Sequence, residues 1–420
     1  MKKKFIFLQI RRHYGELDWL FPLLFRLHKK NFRIFTYFDE PDAYYNLKNN
    51  LVLFNKWQQI SDNYFIQKKT DNISFKVILK ILIYLSKFIK STFIKKKIDY
   101  LSPKAYSLEK IFKTKNIDNF QYYFLSNNNH SRLYKLFQDK IKNIKIIRFP
   151  TSQHVRFLKS KKNFPNEGQG NFYGDNFLFR YVEEAKIYFG NKRYKSNLGK
   201  VIFCGNMKYE NWWLKELFIK KKKIKSKKKI IFFATRGFLS DKKNIQDKAN
   251  RLSEKSFIYM IKSIMELTKK KPNLLIIFKT HPSNKEHSFL LKILSEYNRN
   301  NWKIDTNYSL STIEKCELGI VMLSSVCLDV VSMKKPCIEF WINSKDNFGL
   351  IKKKNNYFTT YQLNGLVKNV NSSKELVKTL KDLDIKKNYD NMIKKQYFNF
   401  KRVNKLDKYD SKKTLKKILN

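Results

Sequence analysis

Short apolar runs alternate with longer amphipathic stretches along this chain, and this alternation restricts the fold more than any other feature of the sequence. The pattern is typical of β-α units whose strands assemble into parallel sheets. A chain of 420 residues, 42% of them hydrophobic, is long enough for two domains that each bury a core without disulfides. The predicted strands are Lys4–Ile10, Phe32–Tyr37, Tyr122–Ser126, Lys145–Phe149, Val201–Cys204, Ile230–Ala234, Leu274–Lys279, Leu318–Met322 and Cys337–Phe340.

One lysine-rich segment, FIKKKKIKSKKKI (Phe218–Ile230), divides these strands into two sets. Eight lysines in thirteen residues cannot pack in a core, so we place the domain boundary there. The predicted fold class is therefore α/β, with two Rossmann-type parallel-sheet domains facing each other across a cleft that binds a ligand at the carboxyl ends of the strands. The predicted parts are an N-terminal domain (residues 1–217), a linker (218–229), a C-terminal domain (230–385) and a helical tail (386–420), with helices at Ser373–Leu383 and Lys386–Asn420.

The formal net charge of +53 raises the question of a nucleic-acid partner. Only 13 of the 88 basic residues are arginine, and Asn, Ile and Phe are also abundant, a bias that is typical of an A+T-rich genome. Proteins that read nucleic acids favour arginine for bidentate contacts, and the sequence contains no RNP-like, helix-turn-helix or zinc-finger pattern. We therefore predict no nucleic-acid partner, and a basic nucleic-acid-binding protein is kept as an alternative from another class.

The cysteines and the first strand predict a cytoplasmic protein. No CxxC pair or metal-ligand spacing links Cys204, Cys316, Cys327 and Cys337, so we expect reduced cysteines in the core. The apolar run before Arg11 has only six residues, which fits a strand and is too short for a signal peptide. The sequence has no stretch of about 18 uncharged apolar residues that would span a membrane.

The segment FKVILKILIYLSKFIKSTFIKKK (Phe75–Lys97) predicts a basic amphipathic helix. Lys76, Lys80, Lys87 and Lys90 fall on one narrow face at helical spacing, and the rest is mostly Ile, Leu, Val, Phe and Tyr. Such a helix can lie in a membrane interface, which would make the protein a peripheral partner of the anionic inner face of the cell membrane. A core helix with one solvated stripe explains the pattern equally well.

Polar side chains follow four predicted strands of the C-terminal domain. In GIVMLSSVCLDVVSMKKP the strand breaks at two serines and a helix, Val326–Met333, begins at once, so its free N–H groups favour an anion. With the basic groups at the neighbouring strand ends, this arrangement suits a diphosphate, although each residue alone also fits an ordinary turn or cap. The candidates are Arg236, Lys279, His281, Ser324, Ser325, Asp329 and Glu339.

The turn after the first strand, RRHYGELDW, contains candidate residues at the edge of the predicted cleft. Gly15 permits a tight turn, which would leave His13 and Glu16 at the edge of the predicted cleft. A histidine after a strand is also often structural, so both interpretations of His13 stay open.

Five segments resemble motifs of bacterial surface-polysaccharide transferases with the GT-B fold, the group that includes CDP-glycerol glycerophosphotransferases, capsule Kdo transferases and polysialyltransferases. The order and spacing of the motifs carry this resemblance. At matching positions Val155, Met207, Glu210, Ala234 and Lys334 replace the family's Gly, Pro, Asp, Pro and Gly. The segments are RFPTSQHVRF at a His-Gly pair, GKVIFCGNMKYENWW at a Gly-Asn-Pro-Arg-Tyr-Asp segment, IIFFATRGF at a Pro-Thr-x-Arg turn, KTHP at a K-x-H-P motif, and SSVCLDVVSMKKPCIEF at a Ser-Ser…Asp…Gly-Lys-Pro segment.

The resemblance implies a GT-B-like glycosyltransferase, or polyol-phosphate transferase, that moves a unit from a nucleotide-activated donor to a glycan or lipid-linked acceptor. Arg236, Lys279 and the Ser324–Ser325 helix start would bind the donor phosphate, with Asp329 and Glu339 on the same donor side and Glu339 at ribose or sugar hydroxyls. No carboxylate cluster accompanies the basic groups in the sequence, so neither a metal nor a cofactor is expected.

Histidines would supply the acid–base chemistry in this scheme. His281 would orient or protonate the donor phosphate, and Pro282 would hold it in an extended conformation on the same side as Lys279. The resemblance implies that the first domain binds the acceptor, with Gly15 and Glu16 on the acceptor side. His154 would accept the proton of the acceptor hydroxyl, with His13 as the other candidate base. A nucleotide-sugar epimerase on the same fold is the alternative enzyme.

Overall fold

The computed structural model describes residues 4–11, 15–67, 120–126, 143–150, 173–218, 228–236, 254–280, 287–341, 351–353 and 356–420, together with Ile111 and Ile141. These residues form two compact units. The first contains the described residues up to Trp213 together with Lys408–Asn420, and the second contains those from Leu214 to Asp407.

The first unit is built on a seven-stranded parallel sheet. Its elements are β1 (Lys4–Ile10), α1 (Gly15–His28), β2 (Phe32–Phe38), α2 (Pro41–Lys48), α3 (Leu51–Ile60), β3 (Ser61–Ile66), β4 (Phe120–Ser126), β5 (Lys145–Phe149), β6 (Asn176–Phe179), α4 (Val182–Ser196) and β7 (Val201–Phe203). The strand order is β3-β2-β1-β4-β5-β6-β7. In α5 (Asn211–Phe218) the chain passes from this unit to the second.

Aromatic side chains form much of the core of the first unit. The ring of Phe7 on β1 stacks on Phe35 at 5.5 Å and meets Tyr123 of β4 edge-on at 5.4 Å. Nearly the whole length of α1 is buried, as expected for a helix that is apolar on most sides. Side chains on both faces of the sheet are therefore buried in apolar surroundings, which is typical of a parallel sheet covered by helices.

The C-terminal helix, α13 (Ser411–Leu419), belongs to the first unit. The backbone N–H and the hydroxyl of Ser411 donate to the Glu210 carboxylate at 2.6 and 2.7 Å. The Nε of Arg26 donates to the same hydroxyl at 2.6 Å. This hydrogen-bonded cluster fixes the start of α13 against α1 and the segment before α5.

The predicted single helix Lys386–Asn420 is wrong. The first helix, α12 (Lys386–Asn404), ends where Lys405 adopts a left-handed conformation with φ 53°. The side chain of Asp410 then accepts a hydrogen bond from the backbone of Lys413 and caps the start of α13. The break separates α12 in the second unit from α13 in the first.

The second unit is built on a six-stranded parallel sheet. Its elements are β8 (Lys229–Ala234), α6 (Glu254–Lys270), β9 (Leu274–Lys279), α7 (His287–Leu294), β10 (Trp302–Ile304), α8 (Ser309–Ile313), β11 (Leu318–Val321), α9 (Val326–Ser332), β12 (Cys337–Phe340), the antiparallel pair β13 (Ile351–Lys353) and β14 (Asn356–Phe358), α10 (Thr360–Leu363), β15 (Lys368–Val370), α11 (Ser373–Asp384) and α12. The strand order is β10-β9-β8-β11-β12-β15.

One glycine permits the close packing of α9 on its own strand. A Cβ atom at Gly319 of β11 would lie 2.5 Å from a methyl group of Val330 on α9. A larger residue there would push α9 away from the sheet, together with the serine turn that precedes the helix.

The predicted α/β class with two parallel-sheet domains is confirmed. All nine predicted strands are present, and four of them, β1, β5, β9 and β12, have the predicted bounds. The sequence analysis missed six strands that are short or rich in polar residues: β3, β6, β10, β13, β14 and β15.

Two further expectations concern the chain as a whole. All four cysteines are buried and free, as predicted. None of the described helices is both long and apolar enough to cross a membrane. The predicted amphipathic helix Phe75–Lys97 lies outside the described residues.

Candidate functional site

Residues at the carboxyl ends of four neighbouring strands in the second sheet form one row. Strand pairing joins Lys279 of β9 to Ala234 of β8, Ala234 to Val321 of β11, and Val321 to Glu339 of β12. Arg236 follows β8 two residues beyond Ala234, and the serine pair follows β11 closely. The sheet therefore brings the predicted donor-binding residues to one edge, where ligands of parallel sheets bind.

The ammonium group of Lys279 is buried among polar groups. It donates a hydrogen bond to the backbone carbonyl of Asn307. Burial lowers the pKa of Lys279 to about 8, although the charges of Asp305 and Asp329 act to raise it. A lysine with this pKa is mostly protonated at neutral pH and can serve as a cation for a phosphate.

Asp305 fixes the turn that faces Lys279. Its carboxylate accepts hydrogen bonds from the hydroxyl of Thr312 at 2.5 Å and from the backbone N–H of Asn307 at 2.8 Å. Burial raises the pKa of Asp305, but these hydrogen bonds and the charge of Lys279 outweigh burial and lower it. The residue is therefore a carboxylate at neutral pH.

Arg236 joins β8 to the turn after β11. Its Nη1 donates to the backbone carbonyl of Leu323 at 2.6 Å, and its guanidinium lies 5.8 Å from the ring centre of Trp341. The side chain is half-buried. A planar guanidinium carries N–H donors in a fixed fork, a geometry that suits a phosphate.

The two serines before α9 differ in their side-chain hydrogen bonds. The hydroxyl of Ser324 accepts a hydrogen bond from the backbone N–H of Val326 at 3.3 Å. Ser325, the residue before α9, makes no side-chain capping hydrogen bond within the described part of the chain. The helix ends at Ser332, one residue earlier than predicted, and Asp329 lies buried in its middle.

Glu339 is completely buried on β12. One carboxylate oxygen accepts a hydrogen bond from the hydroxyl of Thr359 at 2.6 Å, and the other, Oε1, has no hydrogen-bond partner among the described residues. Burial raises the pKa of Glu339 to about 7, against the opposing effects of Thr359, Asn369 and the charge of Arg236. A buried acceptor without a partner is costly, so Oε1 is an unsatisfied acceptor at the edge of this sheet.

The structure gives less information on the candidates of the acceptor side. Glu16 is buried, and its carboxylate accepts a hydrogen bond from the backbone N–H of Arg11 at 2.9 Å. Gly15 is the first residue of α1, and the turn before it, residues 12–14, lies outside the described residues. The three predicted catalytic histidines, His13, His154 and His281, lie outside the described residues.

The sequence analysis missed a buried polar network in the first unit. The amide of Gln9 on β1 donates to both oxygens of Asp39 at 2.8 Å, and the hydroxyl of Tyr123 on β4 donates to Gln9 Oε1. Burial and the charge of Asp39 raise the pKa of Tyr123 well above its ordinary value, against the charge of Arg148. Asp39 lies two residues after the predicted strand Phe32–Tyr37, and this position near a strand end was a signal that could have identified it.

A metal site is a separate question. Among the residues that the structure describes, no three His, Cys, Asp or Glu side chains form a group that could hold a metal ion. Metal-independent activity stays a prediction.

Comparison with solved structures identifies proteins whose fold is similar to that of this chain. No protein-family model matches the chain, and no curated protein matches it. The UDP-GlcNAc 2-epimerase of Neisseria meningitidis, solved with UDP-GlcNAc, has a TM-score of 0.53 at 12% identity, over 99% of both chains. The wall teichoic acid polymerase TagF has a TM-score of 0.50 at 14% identity, over 99% of this chain and 90% of its own.

A third solved structure, the glycotransferase of kitacinnamycin, has a TM-score of 0.53 at 8% identity, over 100% of this chain and 99% of its own. At these identities the likeness concerns the fold alone. The chain has the two parallel-sheet α/β units of the GT-B and UDP-sugar enzyme folds.

Proposed function

We propose that this protein is a GT-B-type transferase that moves a sugar, or a glycerol-phosphate-like unit, from a nucleotide-activated donor to a surface glycan without a metal ion. Lys279 and Glu339 lie in one row of paired residues at the carboxyl edge of the second sheet, and Arg236 lies two residues beyond Ala234 of the same row. This row is the observation that supports the proposal. Two cations at such an edge suit the diphosphate of an activated donor.

The cations have separate tasks in this proposal. Arg236 contacts the donor phosphate with the N–H groups of its fork, while its bond to Leu323 keeps the guanidinium in place. Lys279 adds a second positive charge and stabilises the nucleotide as negative charge grows on the leaving group. The hydroxyls of Ser324 and Ser325, both half-buried, donate to the same phosphates.

The carboxylates have supporting tasks. The unsatisfied Oε1 of Glu339 accepts a hydrogen bond from a ribose or sugar hydroxyl of the donor. Asp329 keeps Lys279 charged rather than contacting the donor, because its charge raises the pKa of that lysine. Proton transfer is proposed for His281 at the phosphate and for His154 or His13 at the acceptor hydroxyl.

An epimerase is the second candidate, because the fold is equally close to that of UDP-GlcNAc 2-epimerases. The two activities differ in their need for an acceptor. A transferase releases nucleotide only when an acceptor is present, whereas an epimerase converts the sugar nucleotide alone. Product analysis with and without a glycan acceptor separates them, and epimerised donor in the absence of acceptor would overturn the proposed transfer.

The donor nucleotide is open to direct measurement. UDP and UDP-sugars are the first candidates, since a UDP-sugar is bound in a structure of this fold, followed by CMP-, CDP- and GDP-linked sugars. A ligand at 100 times its Kd should raise the free energy of unfolding by about 2.7 kcal/mol, which thermal denaturation detects. Turnover should survive EDTA, and activity that disappears with EDTA and returns with Mn²⁺ or Mg²⁺ would refute metal independence.

A further inference from the structure

Three tyrosine rings form an exposed surface on the first unit, which we name the tyrosine platform: Tyr44 and Tyr45 on α2, and Tyr64 on β3. The rings of Tyr44 and Tyr64 stack with centres 5.4 Å apart and an angle of 11° between their planes, and Tyr45 contacts Tyr44 at 5.7 Å. Tyr45 is 57% exposed and Tyr64 is 46% exposed. Contiguous aromatic surface of this kind marks an interaction site more often than scattered apolar residues do.

The tyrosine platform rests on a fixed base. The buried ring of Trp57 lies 5.2 Å from Tyr64 and 6.2 Å from Tyr44. Its Nε1 donates to the hydroxyl of Thr36 at 3.0 Å, and its ring meets Phe38 of β2 edge-on at 5.6 Å. The ring of Tyr64 is therefore held by the buried Trp57, and Tyr45 contacts it through Tyr44, so part of the platform is fixed before any ligand arrives, which lowers the entropy lost on binding.

The charge of the surrounding segment restricts the class of ligand. In a chain of net charge +53, the segment Asp39–Phe65 contains four carboxylates and only two lysines. It also contains seven Asn and Gln residues, and Asn49, Asn55 and Asn63 are exposed. The net negative charge of this segment disfavours an anionic lipid surface or a nucleic acid as its ligand. Uncharged amides instead match a ligand rich in hydroxyl groups.

We propose that the tyrosine platform binds a neutral glycan. A pyranose ring has a face of C–H bonds that packs on an aromatic ring, whose face is electronegative, and a rim of hydroxyls that hydrogen-bonds to amides. Tyr45 and Tyr64 present such rings, and the exposed amides belong to the same segment. This inference rests on the proposed function in one respect, which is that the bound glycan is the growing acceptor chain.

Affinity electrophoresis in native gels that contain a neutral polysaccharide tests the proposal. The probes are dextran, hydroxyethylcellulose and glycogen, and the protein should be retarded by at least one of them. The double variant Tyr45→Ala/Tyr64→Ala should bind that probe at least ten times more weakly. Tyr64→Phe, which keeps the stacked ring, should bind like the parent. The control is Tyr173→Ala, because Tyr173 is 60% exposed on the same unit and should not contribute.

Other outcomes would overturn the proposal. The first is that none of the three polysaccharides retards the parent, and the second is that the double variant is retarded as strongly as the parent. A change of molar mass in light scattering between parent and variant would instead identify an interface between copies, and loss of binding to phosphatidylcholine vesicles would identify a lipid surface. If the double variant fails to fold, Tyr45→Ala is used alone, since the ring of Tyr45 is mostly exposed.

Binding to the gel and turnover of the donor are independent measurements. If the parent is retarded but releases nucleotide from no activated donor, the transferase proposal fails and the glycan site stands. If the protein transfers to acceptors and the double variant extends long and short acceptors with the same preference as the parent, the tyrosine platform does not bind the acceptor. We expect the double variant to lose its preference for long acceptors while its kcat on a short acceptor stays unchanged.

Discussion

The guanidinium of Arg236 donates to the backbone carbonyl of Leu323 at 2.6 Å, and this hydrogen bond joins the end of β8 to the turn between β11 and α9. Leu323 has a φ of 42°, in the left-handed region that residues other than glycine rarely adopt. Such a conformation costs of order 1–3 kcal/mol and persists when surrounding contacts hold it. The serine pair follows directly, so Arg236 supports the turn that presents both hydroxyls.

Replacement of Arg236 by Lys should weaken binding of the nucleotide donor by about ten- to a hundredfold, because an ammonium group cannot hold the Leu323 carbonyl and a phosphate with one rigid fork. Isothermal titration with UDP measures the change. The matched control is Arg299→Lys, since the guanidinium of Arg299 lies over the ring of Trp302 at 3.9 Å in the same unit. Unchanged UDP affinity in the Arg236 variant would remove this arginine from the donor site.

Lys279 should make donor binding depend on pH. Burial lowers its pKa to about 8, so the free protein loses this positive charge as the pH rises through that value. The Kd for UDP should therefore rise up to about tenfold from pH 8 to pH 9. Lys279→Met, which keeps the aliphatic part of the side chain, should bind UDP weakly and with little change over this range. A parental Kd that is constant from pH 7 to 9.5 would contradict the assignment.

The parallel sheets could be predicted because apolar runs such as LLIIFK report burial on both faces directly. The same signal places Lys279 at a strand end without any knowledge of the fold. This signal does not identify β10 and β15, because each is three residues long and forms by pairing with a neighbouring strand. The sequence analysis consequently missed Asp305, which follows β10 and faces Lys279.

Contacts between distant residues limit what the sequence reveals about the site. Arg236 and Leu323 are 87 residues apart, and Glu339 and Thr359 are 20 apart. No periodicity or spacing encodes such pairs, because they form only when the strands have assembled in their final order. The sequence analysis could therefore identify candidate side chains at strand ends, but it could not show that Leu323 and Thr359 hold two of them.

Ser411 should contribute measurably to the stability of the first unit. Its buried hydroxyl donates to Glu210 at 2.7 Å and accepts from Arg26 at 2.6 Å. Ser411→Ala leaves both partners less satisfied and should lower the free energy of unfolding by about 1–3 kcal/mol. Urea denaturation followed by circular dichroism measures this loss. Ser196→Ala, on an exposed serine of α4, should change it by less than about 0.5 kcal/mol, and equal effects would show that the α13 contact is unimportant.

Glu339 should make the stability of the second unit fall as the pH rises from 4.5 to 7. Burial raises its pKa from the ordinary value of 4.5 to about 7 in the folded protein. A carboxyl group whose pKa is raised on folding gives stability that is fully present below the unfolded pKa and is lost as the pH rises through the folded pKa. A shift of this size corresponds to about 3 kcal/mol of unfolding free energy.

Glu339→Gln removes this titration while it keeps the shape of the side chain. Between pH 4 and pH 8, the difference in unfolding free energy between variant and parent should change by about 3 kcal/mol in favour of the variant. Glu317→Gln, on an exposed residue of the same unit, is the control. The variant should also bind the nucleotide sugar more weakly at pH 8, because an amide is a poorer acceptor for a donor hydroxyl than a carboxylate. Parallel stability curves for parent and Glu339→Gln between pH 4 and 8 would show that Glu339 does not titrate in this range.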